Sequence, residues 1–541
     1  MTLLRNPVIR GFAPDPSLAR VGDRYYVATS SFEWFPTIPI HSSVDLAHWE
    51  YAGHVRGAAP GDSLAGIPDS GGIWAPSLSW DGERFWVVYA IVRSVGTPYF
   101  DTDTYVSTAT DVTGRWTPAR RIASHGFDPA LFHHEGRLWL LNLQNDHRPG
   151  GRRFAGIVLT ELDRHTLRPT GDTHLLLQHD RLIEGPKLLH HDGWYFLLLA
   201  EGGTGFEHGV RVARGRTLTG PYELDDRPLL TSRDDPSLPL QKAGHGELVQ
   251  TPEGDWVLSH LTARPLHTPS GPRCTLGRET AIQSVTWDEE GWPRLAQGGH
   301  HPAVEVAVPT RAQAPTPEIR EGLGWPWSTL RAAPDPSWAD TTARPGWIRL
   351  RGRQGPESRW AYSLLAQRIT EHRAEAEVTV EARPSTFTQA AGLVLRYDAQ
   401  AYLTLDLTWA EKDGEEQRGQ QWHDGGRRVL RLVERDDTDT RQVAVVDIAA
   451  DAPVTLGVTV EEAKAQFWYL RHGVRTPVGA PLDFGKLSDD HGTRLRFTGA
   501  MAGIHAIDLV DAEFTACFRD FRLTCTPAHP AVRNASPTAG K

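Results

Sequence analysis

The chain has 541 residues, too many for one ordinary domain and enough to bury sizeable cores. Hydrophobic residues at 39% and charged residues at 23% describe a globular protein, and no apolar run nears the roughly 18 residues that cross a bilayer. A net charge of −10 supplies no basic face, so neither a nucleic acid nor a membrane is an expected partner.

The N-terminus, Met1-Thr2-Leu3-Leu4-Arg5-Asn6-Pro7, holds no apolar signal core, and Cys274, Cys517 and Cys525 form neither a metal spacing nor a disulfide framework. Both features suit reduced thiols and a cytoplasmic location. Asp15 then stands between Pro14 and Pro16. Proline fixes its own φ and restrains the residue before it, so rigid, extended backbone is expected at this carboxylate. Asp15-Pro16-Ser17-Leu18 leads through Gly22 to the aromatic strand Tyr25-Tyr26-Val27.

The same phrase returns along the chain. Ala75-Pro76-Ser77-Leu78 leads through Gly82 to Phe85-Trp86-Val87, and Asp128-Pro129-Ala130-Leu131 through Gly136 to Leu138-Trp139-Leu140. Gly185-Pro186-Lys187-Leu188 leads through Gly193 to Trp194-Tyr195-Phe196, and a degenerate copy, His245-Gly246-Glu247-Leu248, through Gly254 to Trp256-Val257-Leu258. A strand–turn–strand unit repeating every 53 to 60 residues is the signature of a β-propeller, and five copies predict five blades over residues 1–305. The innermost strand of each blade starts beside the central axis. Asp15, Ala75, Asp128, Gly185 and His245, with Trp74 and Glu184 one position earlier, are therefore expected to meet in one pocket.

Two other features read as structural. His133-His134 and His190-His191 fall at hairpin turns pointing away from the axis, and Asp101 and Asp103 lie in a polar loop. Pro302, Pro309, Pro315 and Pro317 mark a linker, taken as residues 306–320. Beyond it, alternation in Trp347–Arg351 and Ala374–Val380 and short apolar runs such as Gly392–Arg396 and Phe467–Leu470 predict a two-sheet β-sandwich over residues 321–526. Residues 527–541 are rich in Ala, Pro and Ser and read as a disordered tail.

Several strings in order along the chain resemble glycoside hydrolase family 43, in particular its β-xylosidase branch with a C-terminal sandwich. They include Gly11-Phe12-Ala13-Pro14-Asp15-Pro16-Ser17, Phe32-Glu33-Trp34-Phe35-Pro36, Gly72-Ile73-Trp74-Ala75-Pro76 and Phe127-Asp128-Pro129. Further matches are Ile183-Glu184-Gly185-Pro186, Glu207-His208, Gly244-His245-Gly246 and Leu276-Gly277-Arg278-Glu279-Thr280. The resemblance implies an all-β, five-bladed propeller followed by a concanavalin-like jelly roll. It also implies Asp15 as the general base that activates water, Glu184 as the general acid, and Asp128 as the residue that raises the acid's pKa by like-charge repulsion and orients the substrate.

Trp74, one position before its slot, and Phe32 are expected aromatic walls; the resemblance implies that Arg278 binds sugar hydroxyls near the acid and that His245 lies beneath the pocket, and His208 is a further pocket candidate. In some members the equivalent of His245 ligates calcium; a calcium there is compatible with this chain, and no cofactor is required. A sandwich loop, Phe497-Thr498-Gly499-Ala500-Met501-Ala502-Gly503, is expected to close the pocket, with Met501 where the family commonly carries an aromatic. The expected activity is exo-acting, inverting β-1,4-xylosidase action on the non-reducing ends of short xylooligosaccharides, with homo-oligomers expected by analogy. The alternatives are an α-L-arabinofuranosidase, alone or bifunctional, and a non-catalytic sugar-binding propeller.

Overall fold

The computed structural model describes residues 2–55, 63–309, 322–411, 426–448 and 452–527. Five antiparallel sheets follow one another along the first half, each with its strands side by side in chain order. The first comprises Ser17–Val21, Arg24–Ala28, Pro39–Ser43 and Glu50–His54, and the second begins with Gly72–Trp80 and Phe85–Val92. The third, fourth and fifth begin with Gly126–His134, Ile183–His191 and Gln241–Gln250. These opening strands touch in succession and the fifth touches the first, which closes a ring around a central axis.

The repeated glycine does the same work in every blade. Gly22, Gly82, Gly136, Gly193 and Gly254 all adopt positive φ, between 60° and 101°, in the turn that reverses the innermost strand. A side chain would be strained in that conformation, which is why the position recurs as glycine. The ring is fastened by its ends: Thr2–Arg5 pairs antiparallel with Glu305–Val308. Asn6 adds a clasp, its Nδ2 donating to the carbonyls of Ile282 and Ala303 at 2.8 and 2.9 Å.

That pairing corrects the linker expected at 306–320. Glu305-Val306-Ala307-Val308 alternates exposed and buried residues as a strand of the propeller, whereas residues 310–321 lie outside the described residues, as do residues 528–541 of the expected tail.

The second half forms two sheets facing each other. Six strands, including Ser363–Arg368, Met501–Asp508, Gln389–Asp398 and Ala401–Ala410, make one; eight, including Arg373–Ala382, Lys464–Arg471 and Thr515–Cys525, make the other. Arg373–Ala382 turns its alanines and valines inward at every second position, onto a core with Leu393, Leu405, Phe467 and Phe518. Cys517 and Cys525 lie on one extended strand, out of reach of each other, and all three cysteines are free. Among the described residues there is no α-helix, and no helix long and apolar enough to cross a membrane.

Sandwich and propeller are joined by charge as well as by packing. Arg264 donates to Glu279 of its own domain at 2.7 Å and to Glu371 of the sandwich at 2.8 Å. Lys242, wholly buried, reaches Asp489 and Asp490 at 2.9 and 2.6 Å. Such pairs register one surface on the other rather than add much net stability.

Candidate active site

The five equivalent positions share one backbone conformation. Asp15, Ala75, Asp128, Gly185 and His245 have φ of 54°, 36°, 49°, 56° and 48°, and in the last four blades a register shift interrupts the pairing at that point. The extended backbone expected at Asp15 is therefore corrected. At this point each chain turns through the left-handed region, which breaks the strand's alternation and aims these side chains at the axis. Gly185 shows how tightly they converge, since a Cβ there would stand 2.6 Å from His245 Nε2.

Asp15 is held by three blades. Ser30 Oγ donates to its Oδ2 at 2.6 Å and itself accepts from the Ala75 N–H at 2.8 Å. Arg278 Nη1 donates to Oδ1 at 3.1 Å, and His245 Nδ1 lies 3.4 Å from the same oxygen. Burial alone would raise this carboxyl; Arg278 above all, then His245 and Ser30, override it and hold Asp15 well below the usual carboxylate range.

Glu184 sits in the opposite electrostatic state. Burial, reinforced by the charge of Asp15 and opposed by Arg278, pushes it up to about 7. Asp128, also buried, is pushed to about 7 against the pull of His245, with Glu184 and Asp15 both raising it, although the Gly185 N–H donates to its Oδ2 at 3.0 Å. The repulsion expected to act from Asp128 on Glu184 thus falls on Asp128; Glu184 owes its elevation to burial and Asp15. The pocket pairs one permanently ionised carboxylate with two carboxyls that keep protons to near neutrality.

Four aromatic rings wall the pocket. Trp74 stands edge-on to Phe497 with ring centres 5.2 Å apart, Phe32 lies 5.8 Å from Phe497, and Phe127 lies 5.8 Å from Trp74. Thr204, His208, His245 and Arg278 complete the lining. His208 is buried and neutral, its pKa lowered by burial to about 3. Arg278 Nη2 donates to the Phe497 carbonyl at 3.1 Å, so the guanidinium is first of all a clamp on Asp15 and the closing loop. This narrow pocket adjoins a wider cavity of about 350 Å³. The two share Trp74, Phe127, Glu184, Thr204 and Phe497, so the Glu184 carboxyl stands on the boundary between them.

Met501 does not reach this place. It begins strand Met501–Asp508, is 1% exposed and packs among Phe12, Phe32, Trp34 and Val394 behind the wall. Phe497 supplies the aromatic face from the sandwich, which corrects the expectation placed on Met501. What positions Phe497 is Ser70, itself 1% exposed with φ of 62°. Its Oγ accepts from the Phe497 N–H at 3.0 Å, its carbonyl accepts from Trp74 Nε1 at 2.9 Å, and its N–H donates to Glu33 at 3.0 Å. One serine thus registers two walls contributed by different domains. Ser70→Ala removes the acceptor of the part-buried Phe497 N–H, a cost of about 1 kcal/mol. The expected result is KM raised about tenfold with a smaller fall in kcat, read from initial rates on an aryl glycoside.

Phe127 follows from the repeat itself, occupying the position before its slot as Trp74 and Glu184 do. Ser30, Ser70, Thr204 and Phe497 carry no such sign. Of the residues set aside, His133 and His134 bond Ser79 and Tyr195, and Asp103 is paired with Arg93 and Arg121.

The surroundings of His245 fit calcium poorly. That ion takes six or more oxygens, whereas both oxygens of Asp15 and one of Asp128 are already committed to donors. Two residues beyond the slots, the channel also carries its own cation: Lys187 Nζ donates to Ser17 and Ser77 at 3.1 and 2.7 Å and pairs with Glu247 at 3.2 Å.

Comparison with known proteins places this geometry in a family. Residues 4–293 match glycosyl hydrolases family 43, and residues 320–524 match the beta xylosidase C-terminal concanavalin A-like domain. The chain is 37% identical to xylosidase/arabinosidase 43B of Humicola insolens, over 98% of this chain and 99% of that protein. It is 36% identical to a beta-xylosidase of Bacillus subtilis (strain 168), over 96% and 99%. A crystal structure of xylan beta-1,4-xylosidase from Bacillus halodurans C-125 superposes with a TM-score of 0.90 at 38% identity, covering 96% of this chain and 99% of that one.

Proposed function

The chain belongs to glycosyl hydrolase family 43, and from that premise we propose that it is an exo-acting, inverting β-1,4-xylosidase. Asp15 is its general base, Glu184 its general acid, and Asp128 helps to orient the substrate. The observation that carries this reading is the placement of two carboxyls in one pocket, Asp15 bonded to Arg278 and Ser30 and Glu184 on the boundary with the wider cavity, where burial and the nearby Asp15 push it up to about 7. Glycoside hydrolysis needs such a pair, and in the inverting reading one group takes a proton from water while the other gives a proton to the leaving oxygen.

The terminal sugar occupies the narrow pocket between the rings of Trp74, Phe32, Phe127 and Phe497, whose flat apolar faces complement its C–H faces. Asp15, fixed by Arg278 and Ser30, takes the proton of a water that attacks the anomeric carbon. Glu184, on the boundary with the wider cavity, protonates the oxygen of the bond that breaks, and the rest of the chain departs through that cavity. Phe497 lines both spaces and so flanks the scissile bond beside Glu184, on the side where the leaving chain departs. Arg278 keeps Asp15 ionised and in place to accept the proton of the attacking water.

Proton NMR of xylobiose hydrolysis tests the reading. Early α-xylose supports the inverting assignment; early β-xylose overturns the role of Asp15, and no release overturns the substrate. A second activity on α-L-arabinofuranosides is favoured by the dual name of the Humicola insolens relative, and is read by adding an arabinofuranoside to the same tube.

The pH profile is a separate prediction. Glu184 must be protonated to act, so kcat/KM falls as pH rises through about 7. Asp15 stays ionised through the range where ordinary carboxylates protonate, so the acidic side is flat below about pH 6 and down to about pH 4. Initial rates from about pH 4 to about pH 9 check both limbs.

A further inference from the structure

Away from the pocket, two distant segments bring metal-binding atoms together. Asp234 lies on the crossover from strand Leu230–Thr231 of the fourth blade to Gln241–Gln250 of the fifth. His300 and His301 lie between Pro293–Leu295 and the closing strand Glu305–Val308. His300 Nε2 is 2.9 Å from one oxygen of Asp234 and His301 Nε2 is 3.0 Å from the other. The imidazole rings stand 4.6 Å apart at 79°, and the three ligand atoms all lie within 4.8 Å of one another.

We propose that Asp234, His300 and His301 form a binding site for a first-row divalent cation of the zinc class, completed by water. Ligands around tetrahedral zinc, at 2.0–2.2 Å from the metal, stand roughly 3.3 Å from one another. The two nitrogens approach different oxygens of Asp234, at 2.9 and 3.0 Å, so an ion is admitted when these separations open by a few tenths of an ångström and one imidazole turns toward the shared ligand oxygen. Two imidazoles and a single carboxylate suit zinc, nickel or copper, and not calcium or magnesium, which require more oxygens. All three side chains are between a third and a half exposed, which gives the ion an entry path and room for its water. In the metal-free state the histidines face the same carboxylate through hydrogen bonds, and the ion takes the place of the shared protons.

The site has a structural consequence. It ties the crossover between the fourth and fifth blades to the segment that closes the propeller. The neighbouring Thr231 donates its N–H to the His300 carbonyl at 2.9 Å and its Oγ to the His208 carbonyl at 2.7 Å. Two hydrogen bonds therefore separate the proposed ion from a residue of the pocket wall.

The test uses untagged full-length protein, freed of metal with EDTA, and titration of Zn²⁺ against a chromogenic chelator. One equivalent is expected to bind, with affinity reduced at least tenfold by either His300→Ala or Asp234→Asn, the size of loss that disturbing a metal's ligand set produces. Ca²⁺ in excess should not compete, and Co²⁺ should give the intense visible absorption of a four-coordinate ion. Metal-free activity on an aryl glycoside, unchanged in both variants, shows that they fold. Wild-type protein that takes up no zinc below about 1 mM, or variants that bind it as tightly as wild type, overturn the proposal.

Discussion

Asp15→Asn is expected to lower turnover by about 10⁴-fold on every substrate, good leaving group or poor, with KM little changed. The loss is general because the attacking water needs its base whichever bond is cleaved. Asparagine is the informative replacement for two reasons found in the structure. Asp15 has φ of 54°, a conformation that asparagine tolerates and alanine resists. Its carboxylate also accepts from buried Arg278 and from Ser30, and an amide oxygen keeps the Arg278 contact, whereas alanine strands a buried cation at a cost of about 3–5 kcal/mol. A thermal melt near wild type alongside the lost activity assigns the effect to chemistry. Retention of more than about a hundredth of wild-type activity removes Asp15 as base.

Asp15 also links stability to pH. Its folded pKa lies below the unfolded one, so its contribution is present above the unfolded value near 4 and is lost as pH falls through the folded value. Glu184 and Asp128 act in the opposite sense, since their folded values near 7 exceed those of an unfolded chain. Their cost to stability sets in as pH rises through the unfolded values near 4 and is complete above about 7. The pocket is thus held at some expense to the fold, as expected where residues are placed for reaction.

How far this site could be read from the chain alone depended on repetition. Asp15, Asp128 and Glu184 were legible because each occupies a known offset in a unit that recurs five times, and the ring geometry brings equal offsets together. Phe127 obeys the same rule and was overlooked. Where the repeat is silent, the reading failed for identifiable reasons. Prolines on both sides argued for extended backbone at Asp15, but the turn toward the axis overrides that local preference. The closing strand Glu305–Val308 is hidden among prolines, and its partner lies three hundred residues away at Thr2–Arg5. Phe497 is fixed by a hydrogen bond to Ser70, 427 positions distant in another domain, and no local pattern encodes such a contact. Met501, a few residues further on, had already entered the sandwich sheet opposite Arg368 and Arg396.

Glu184→Gln separates the acid from everything else in the pocket. On xylobiose, whose leaving group is a poor one, turnover should fall by about 10³–10⁴-fold; on an aryl glycoside with an activated phenol, by less than about tenfold, since that oxygen departs without a proton. The amide keeps the volume of the side chain, so the rings of Trp74 and Phe127 that flank the shared boundary retain their contacts. The pH profile adds a second discrimination, because Asp128 is pushed to about 7 as well and either group could set the alkaline limb. If Glu184 is the acid, the limb seen in wild type disappears from Glu184→Gln on the activated substrate. A limb that survives belongs to Asp128, and equal losses on both substrates would transfer the acid's role away from Glu184 altogether. Removing Glu184 also removes one of the groups that raise Asp128, so any surviving limb must move to lower pH, which gives the assignment a sign as well as a magnitude.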